Sequence, residues 1–185
     1  MATERTRTAL ILGTVIFVVA LVLGGLAMLG LKIRAHAAQR RALEELKAAN
    51  PVVYYIQHTP PAKNAEDTRS AILGTWELRG AMNRQTGQFI FVPARSGYFK
   101  TLSPTNWSIV TYDFSSNVQY TASGHYTLEG DNYSESIEAA TGMMTRYLGA
   151  HPKFKIRVDG DSYYQMSANP PKNGNPLEEM WQRVE

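Results

Sequence analysis

The 185-residue sequence predicts a mainly β fold, a small antiparallel barrel or sandwich, preceded by one N-terminal transmembrane helix that continues as a stalk. Three observations predict it. From about residue 71 onward, short runs alternate apolar and polar at period two between glycine-bearing turns, as in a meandering antiparallel sheet. Residues 9–31, ALILGTVIFVVALVLGGLAMLGL, carry no charge and at ~1.5 Å per residue make about 34 Å of helix, against a hydrocarbon core of roughly 30 Å. Residues 37–50, AAQRRALEELKAAN, are rich in helix formers. The predicted order is a tail (1–8), a transmembrane helix (9–31), a juxtamembrane helical stalk (32–50), a linker (51–70) and a β-domain (71–185).

The tail and span place Arg5 and Arg7 ahead of the apolar run and Lys32 and Arg34 behind it. An uncleaved apolar run after a short tail has the form of a signal anchor, which directs the downstream chain to the periplasm, although the positive-inside count mildly favours the opposite topology. Small residues such as Gly24 and Gly25 would let a neighbouring helix approach closely. Arg40 with Glu44, and Arg41 with Glu45, form i,i+4 pairs along the stalk, which ends at Asn50-Pro51 because the residue before proline is pushed out of the helical region. Tyr54 and Tyr55 suit a membrane interface or a partner surface, and the following Pro60-Pro61 and polar run read as extended linker.

Ten strands are predicted in the domain: 75–78, 87–92, 98–102, 107–113, 117–123, 124–130, 132–139, 153–159, 162–167 and 177–184. Gly130 and Gly160, each beside Asp, mark hairpins, and Asn173-Gly174-Asn175 marks a third turn. In 153–159 Phe154, Ile156 and Val158 share one face and Lys153, Lys155 and Arg157 the other. Tyr126 and Leu128 share a face in the preceding region, as do Tyr133, Glu135 and Ile137. Glu135 either reaches water at a rim or faces an interior cavity, where a carboxylate has to be paired or protonated.

Gly74-Thr75-Trp76-Glu77-Leu78, GHYTLEGDNYSESIE (124–138), FKIRVDGDSYYQM (154–166) and LEEMWQRV (177–184), in that order, resemble the small bacterial lipocalin-like domain family of unassigned function. The resemblance covers about residues 71–185. It implies that Arg183 lies over the indole of Trp76 and closes one end of a barrel, and that Tyr126, Leu128, Tyr133, Glu135, Phe154 and Ile156 would line any ligand cavity.

Chemistry is sparse. Without cysteine there is no disulfide, thiolate nucleophile or thiolate metal site. His36, His58, His125 and His151 are scattered without ligand spacing, Asp159 and Asp161 belong to a turn, and Glu135 and Glu138 fall on opposite strand faces, so no metal, cofactor or catalytic set is predicted. Residues 1–50 hold seven Lys/Arg against three Glu, and residues 51–185 hold 12 against 13 acids. The domain therefore offers no charge argument for nucleic acid. Met143, Met144 and Tyr147 fall in an expected loop, where apolar side chains either contact a partner or plug a barrel end. The function these features predict is a non-catalytic accessory subunit of a bacterial inner-membrane complex, such as a photosynthetic or respiratory assembly. Its helix would pack laterally on integral membrane subunits and lipids, and its β-domain would contact extramembrane surfaces. The alternative is a membrane-tethered module binding a small apolar ligand or lipid.

Overall fold

The computed structural model describes residues 32–60, 65–170, 172 and 175–184. The chain divides into two units, Met1–Glu45 and Leu46–Glu185. Of the first, the described residues are helical, part of a helix covering 32–49 (α1). The predicted transmembrane segment 9–31, with Gly24 and Gly25, lies outside the described residues. Among the described residues no helix is long and apolar enough to cross a membrane. The reason is visible in α1, where Lys32, Arg34, Arg40, Arg41, Glu44, Glu45 and Lys47 crowd one short helix. The single-pass architecture and the inner-membrane localisation are therefore corrected here, and the accessory-subunit reading, which rested on the anchor, goes with them.

The second unit begins with two short helices, α2 (Pro51–His58) and α3 (Ala65–Ile72). The linker expectation for 51–70 is thus corrected as well. Asn50 ends α1 and caps α2, its side chain accepting from the Val53 N–H, while Pro51 supplies a preset φ where no donor is needed. Val52 and Ile56 bury against Tyr164, and Tyr55 stacks on Tyr164 with ring centroids 4.1 Å apart. What orders this stretch is the domain's own outer face. Asn50 also donates to Glu178, and Arg157 donates to the Thr59 carbonyl at 2.9 Å.

Ten strands follow: β1 (Gly74–Met82), β2 (Phe89–Phe91), β3 (Tyr98–Leu102), β4 (Asn106–Tyr112), β5 (Val118–Glu129), β6 (Asn132–Glu135), β7 (Ala139–Ala140), β8 (Lys153–Asp159), β9 (Ser162–Ser167) and β10 (Glu178–Arg183). Neighbouring strands pair antiparallel in the order β10-β9-β8-β6-β5-β4-β3-β1, and β10 pairs β1 again. The sheet closes on itself, so of the two predicted forms the barrel is present and the sandwich is not. Eight strands make the ring. β2 adds to the end of β1 and β7 to β5.

Two predicted strands, 117–123 and 124–130, are one. Gly124 breaks nothing: a Cβ there would come within 1.8 Å of the Ser136 carbonyl, so glycine serves close approach of the chain, not a turn. The hairpins at Gly130 (φ 63°) and Gly160 (φ 56°) are the true turns. Asn173 and Gly174 lie outside the described residues.

The core is the barrel interior. Trp76, Leu78, Leu102, Trp107, Tyr126, Leu128, Tyr133, Phe154, Ile156, Tyr163 and Trp181 are buried and mutually packed, as the inward parity of each strand requires.

Candidate binding site

At the end where β1 begins, the barrel is shut. α3 lies across it with Ile72 fully buried, and the Trp76 indole donates to the Ile72 carbonyl at 2.8 Å. Arg183, opposite Trp76 in the β1–β10 register, stands 4.2 Å from the indole centroid and donates to the carbonyls of Leu73 and Ala71 at 2.5 and 2.6 Å. The C-terminal turn of α3 thereby has its orphan carbonyls satisfied by a guanidinium that is itself stacked.

Above this plug the interior turns polar. Lys100, 3% exposed, donates to Glu135, 6% exposed, and to Gln165 at 2.9 Å. Its ammonium sits 5.0 Å from the Tyr133 ring centroid, 5.7 Å from Trp107, 5.8 Å from Tyr163 and 5.9 Å from Trp181. A buried cation is tolerable here because an acid neutralises it and aromatic faces surround it. Tyr163 donates to Gln165, Gln165 donates to Glu179 at 3.2 Å, and the Trp181 indole donates to the same Glu179 oxygen at 3.3 Å. Burial pushes the Glu179 carboxyl up to about 7; Lys100 opposes the rise, Glu135 adds to it, and the Trp181 hydrogen bond again opposes it. Glu179 keeps partial solvent exposure, so crowding by protein atoms around the carboxyl, not complete enclosure, causes the rise. Burial first, then the nearby Glu135 charge, drive the Tyr133 phenol well above its ordinary value. The Tyr133 hydroxyl nevertheless meets no hydrogen-bond partner among the described residues, Glu135 lying beside it without the required geometry.

At the opposite end, β3 begins at Tyr98, β4 finishes at Tyr112 and β5 begins at Val118. Tyr98 pairs with Thr111 and Thr111 with Tyr120, forming the inward ring one step beyond Lys100, Ile109 and Ala122. A recess of about 450 Å³ opens there, walled by Tyr98, Thr111, Tyr112, Phe114, Tyr120 and Met143. Phe114 is fully exposed and Met143 57% exposed at its rim. Thr111 is 2% exposed, and its hydroxyl has no partner of hydrogen-bond geometry among the described residues, although it is close enough to Tyr120 to oppose the rise in that phenol's pKa. Burial is the main cause of that rise, and the charges of Tyr98 and Glu179 contribute to it.

The residues singled out from sequence distribute unevenly. Tyr126, Leu128, Tyr133, Phe154 and Ile156 belong to the core, Tyr133 and Phe154 also edging an outer recess of about 350 Å³ beside Lys153, and Glu135 is interior and paired with Lys100. Tyr54 stacks on His58, and Tyr55 on Tyr164. The 142–152 loop carries a 3₁₀ helix, Gly142–Tyr147, from which Met144 packs on the core while Met143 and Tyr147 remain exposed. Lys100, Gln165 and Glu179 were missed, together with Tyr98, Thr111 and Tyr120. Strand parity carried a signal for them: Lys100 stands between Tyr98 and Leu102 on one face, and Gln165 shares the face of Tyr163.

Among the described residues no group of three or more His, Asp or Glu could hold a metal ion, and the interior acids face a lysine, an amide and aromatic rings.

No family model matches the chain. No curated protein matches it. Among solved structures it is similar to a lipocalin-like protein from Bacteroides uniformis ATCC 8492, at 16% identity and a TM-score of 0.46 over 62% of this chain and 99% of that one. It is also similar to an uncharacterized protein from Bacteroides eggerthii DSM 20697, at 12% identity and a TM-score of 0.45 over 61% and 99%. The family resemblance drawn from the sequence, with the anchor joined to it, is corrected accordingly, no family model carrying it. The barrel itself is established by the strand pairing.

Proposed function

We infer that the domain is a non-catalytic binding module that takes a small molecule with an apolar body and one hydrogen-bonding group into the recess at its open end. The observation that carries this reading is the Thr111 hydroxyl, buried and without a hydrogen-bond partner among the described residues, on the wall of a recess of about 450 Å³ lined otherwise by the aromatic rings of Tyr98, Tyr112, Phe114 and Tyr120 and by Ser96, Asp113, Gln119 and Met143. A buried polar group left without a partner costs about 1–3 kcal/mol, and a ligand that bonds it recovers that cost on binding. The packed lower half of the barrel supports the same reading, because it gives the recess a rigid floor.

The test is titration of the full chain with the neutral fluorescent probe N-phenyl-1-naphthylamine, alongside Gln119→Trp, which crowds the recess from an exposed strand position, and Lys153→Ala as a control outside it. Saturable binding weakened by Gln119→Trp and unchanged by Lys153→Ala is expected. Binding that ignores Gln119→Trp would place the ligand elsewhere and defeat the proposal.

A further inference from the structure

The recess at the open end continues past its own rim. A second recess, of about 680 Å³, lies beside it, and the two share Ser96, Tyr112, Asp113 and Phe114. Tyr112 ends β4 and Phe114 stands in the turn after it, so these two rings divide an inner space from an outer one. Phe114 is fully exposed. A phenyl ring standing in water between two recesses is best covered by a ligand that runs past it from one to the other.

Phe99 and Val184 line the outer recess; the Phe99 ring meets Tyr112 edge-on at 6.4 Å between centroids, and Val184 is 45% exposed. Arg95 is exposed there as well, while Glu77 is already engaged, accepting from the Ser96 N–H at 2.9 Å and from Arg79 at 3.4 Å. Arg95 (φ 62°) and Ser116 (φ 63°) both border this recess, and they are the non-glycine residues among those described whose backbone is left-handed. Such conformations cost energy and persist where a loop has to hold one shape, as both loops of this wall do.

The inner space carries no free charge. Among the described residues no Lys, Arg or His lines it, and Asp113 is its one acid. Each Asp113 oxygen takes two donors: one the N–H groups of Ser115 and Asn117 at 2.8 and 2.9 Å, the other the side-chain amides of Asn117 and Gln119 at 3.3 and 3.1 Å. What remains for a ligand is the buried Thr111 hydroxyl. Resting on the reading of the recess as a binding site, we propose that the two recesses form one bent groove whose ligand is an unbranched alkyl chain with an uncharged hydrogen-bonding head. The head bonds the Thr111 hydroxyl inside, and the chain passes Phe114 to lie along Phe99 and Val184 outside. A carboxylate head would meet no cation beside Thr111, and a carboxylate left outside at Arg95 would leave the Thr111 hydroxyl without a partner.

The experiment is displacement of N-phenyl-1-naphthylamine from the full chain by 1-hexanol and 1-dodecanol, with dodecanoate as the charged comparison. The short alcohol reads the inner space alone and the long one reads both. Dodecanol binds at least ~10-fold more tightly than hexanol, the gain of two buried methylene groups, and more tightly than dodecanoate at pH 8. Val184→Asp, in the outer recess only, removes most of dodecanol's advantage, and its undiminished binding of hexanol shows that the variant is folded. Dodecanol bound no more tightly than hexanol, or an advantage that survives Val184→Asp, overturns the bent groove while leaving recess binding intact. Dodecanoate bound more tightly than dodecanol, with that preference lost in Arg95→Gln, puts the head outside and overturns the proposal as well. If neither alcohol binds in a way sensitive to Gln119→Trp, recess binding fails and the groove falls with it.

Discussion

At the end of the barrel where β1 begins, Arg183 stacks on Trp76, holds two carbonyls of the α3 turn and leaves no room over Ile72. At the other end, Thr111 is buried without a hydrogen-bond partner among the described residues, Glu179 is held there by neutral donors, and Phe114 and Met143 stand in solvent. Both ends belong to one continuous sheet, so the difference comes from side chains and not from architecture. A satisfied polar network stabilises; an unsatisfied one beside open space is what a binding site retains for its ligand.

The largest expected effect comes from the level between the two ends. Lys100→Met removes the ammonium and strands Glu135 inside a dry core, which costs about 3–5 kcal/mol in urea unfolding. Adding Glu135→Leu to it recovers most of that loss, since replacing both charges by apolar side chains avoids the desolvation cost. A single-variant loss below about 1 kcal/mol would mean that water reaches Lys100, and the contrast between a dry floor and an open recess would collapse.

Next in size is the closed end. Arg183→Met removes a stacked cation and two charge-assisted hydrogen bonds to carbonyls, and about 2–3 kcal/mol of stability goes with them. Arg183→Lys restores little, because an ammonium cannot span both carbonyls in the plane of the ring. Probe affinity at the recess should remain unchanged in both variants. A parallel loss of binding would show that the ends are not independent.

At the open end the sign reverses. Glu179 has an ordinary value of 4.5 and is held at about 7 in the fold. Between those values the folded state binds the proton more tightly than the unfolded chain, so this acid's contribution to stability falls as pH rises from 4.5 to 7 and is level above. Glu179→Gln removes that dependence and is more stable than the parent by about 1–2 kcal/mol near pH 8, a figure reduced for the partial exposure of the acid. Unfolding free energies across the pH range check it. A variant less stable than the parent at pH 8 would show that ionised Glu179 is well compensated.

The legible parts of the molecule were those with local causes. Period-two alternation located every strand of the ring, because inward and outward side chains must alternate wherever a sheet closes on a core. Hairpin glycines at 130 and 160 were legible for the same local reason. Gly124 was misread because close approach to Ser136 comes from the segment just after β6, 12 residues away, and no turn residue flags it. The stretch 51–70 was read as linker since its hydrophobic residues have no internal core. Its partner, Tyr164, lies on the outer face of β9, which parity marks as solvent. The site was least legible. Lys100, Glu135, Gln165 and Glu179 come from four strands, each seen alone as one polar residue at an inward position, and only barrel closure brings them together. The apolar run at 9–31 lies outside the described residues.

The smallest expected effect sharpens the comparison most. Thr111→Val keeps the branched shape and exchanges the orphan hydroxyl for a methyl group, so no hydrogen bond of the fold is lost and a buried polar atom is removed. Stability then rises by about 0.5–1 kcal/mol, where a hydroxyl-to-methyl change at a satisfied site would lower it. Affinity for an alcohol probe should fall a few-fold, roughly what one neutral hydrogen bond contributes. The two readouts move in opposite directions only if the hydroxyl is idle in the free domain and used in the complex. A stability loss would give Thr111 a structural partner, and the open end would then differ from the closed one in exposure alone.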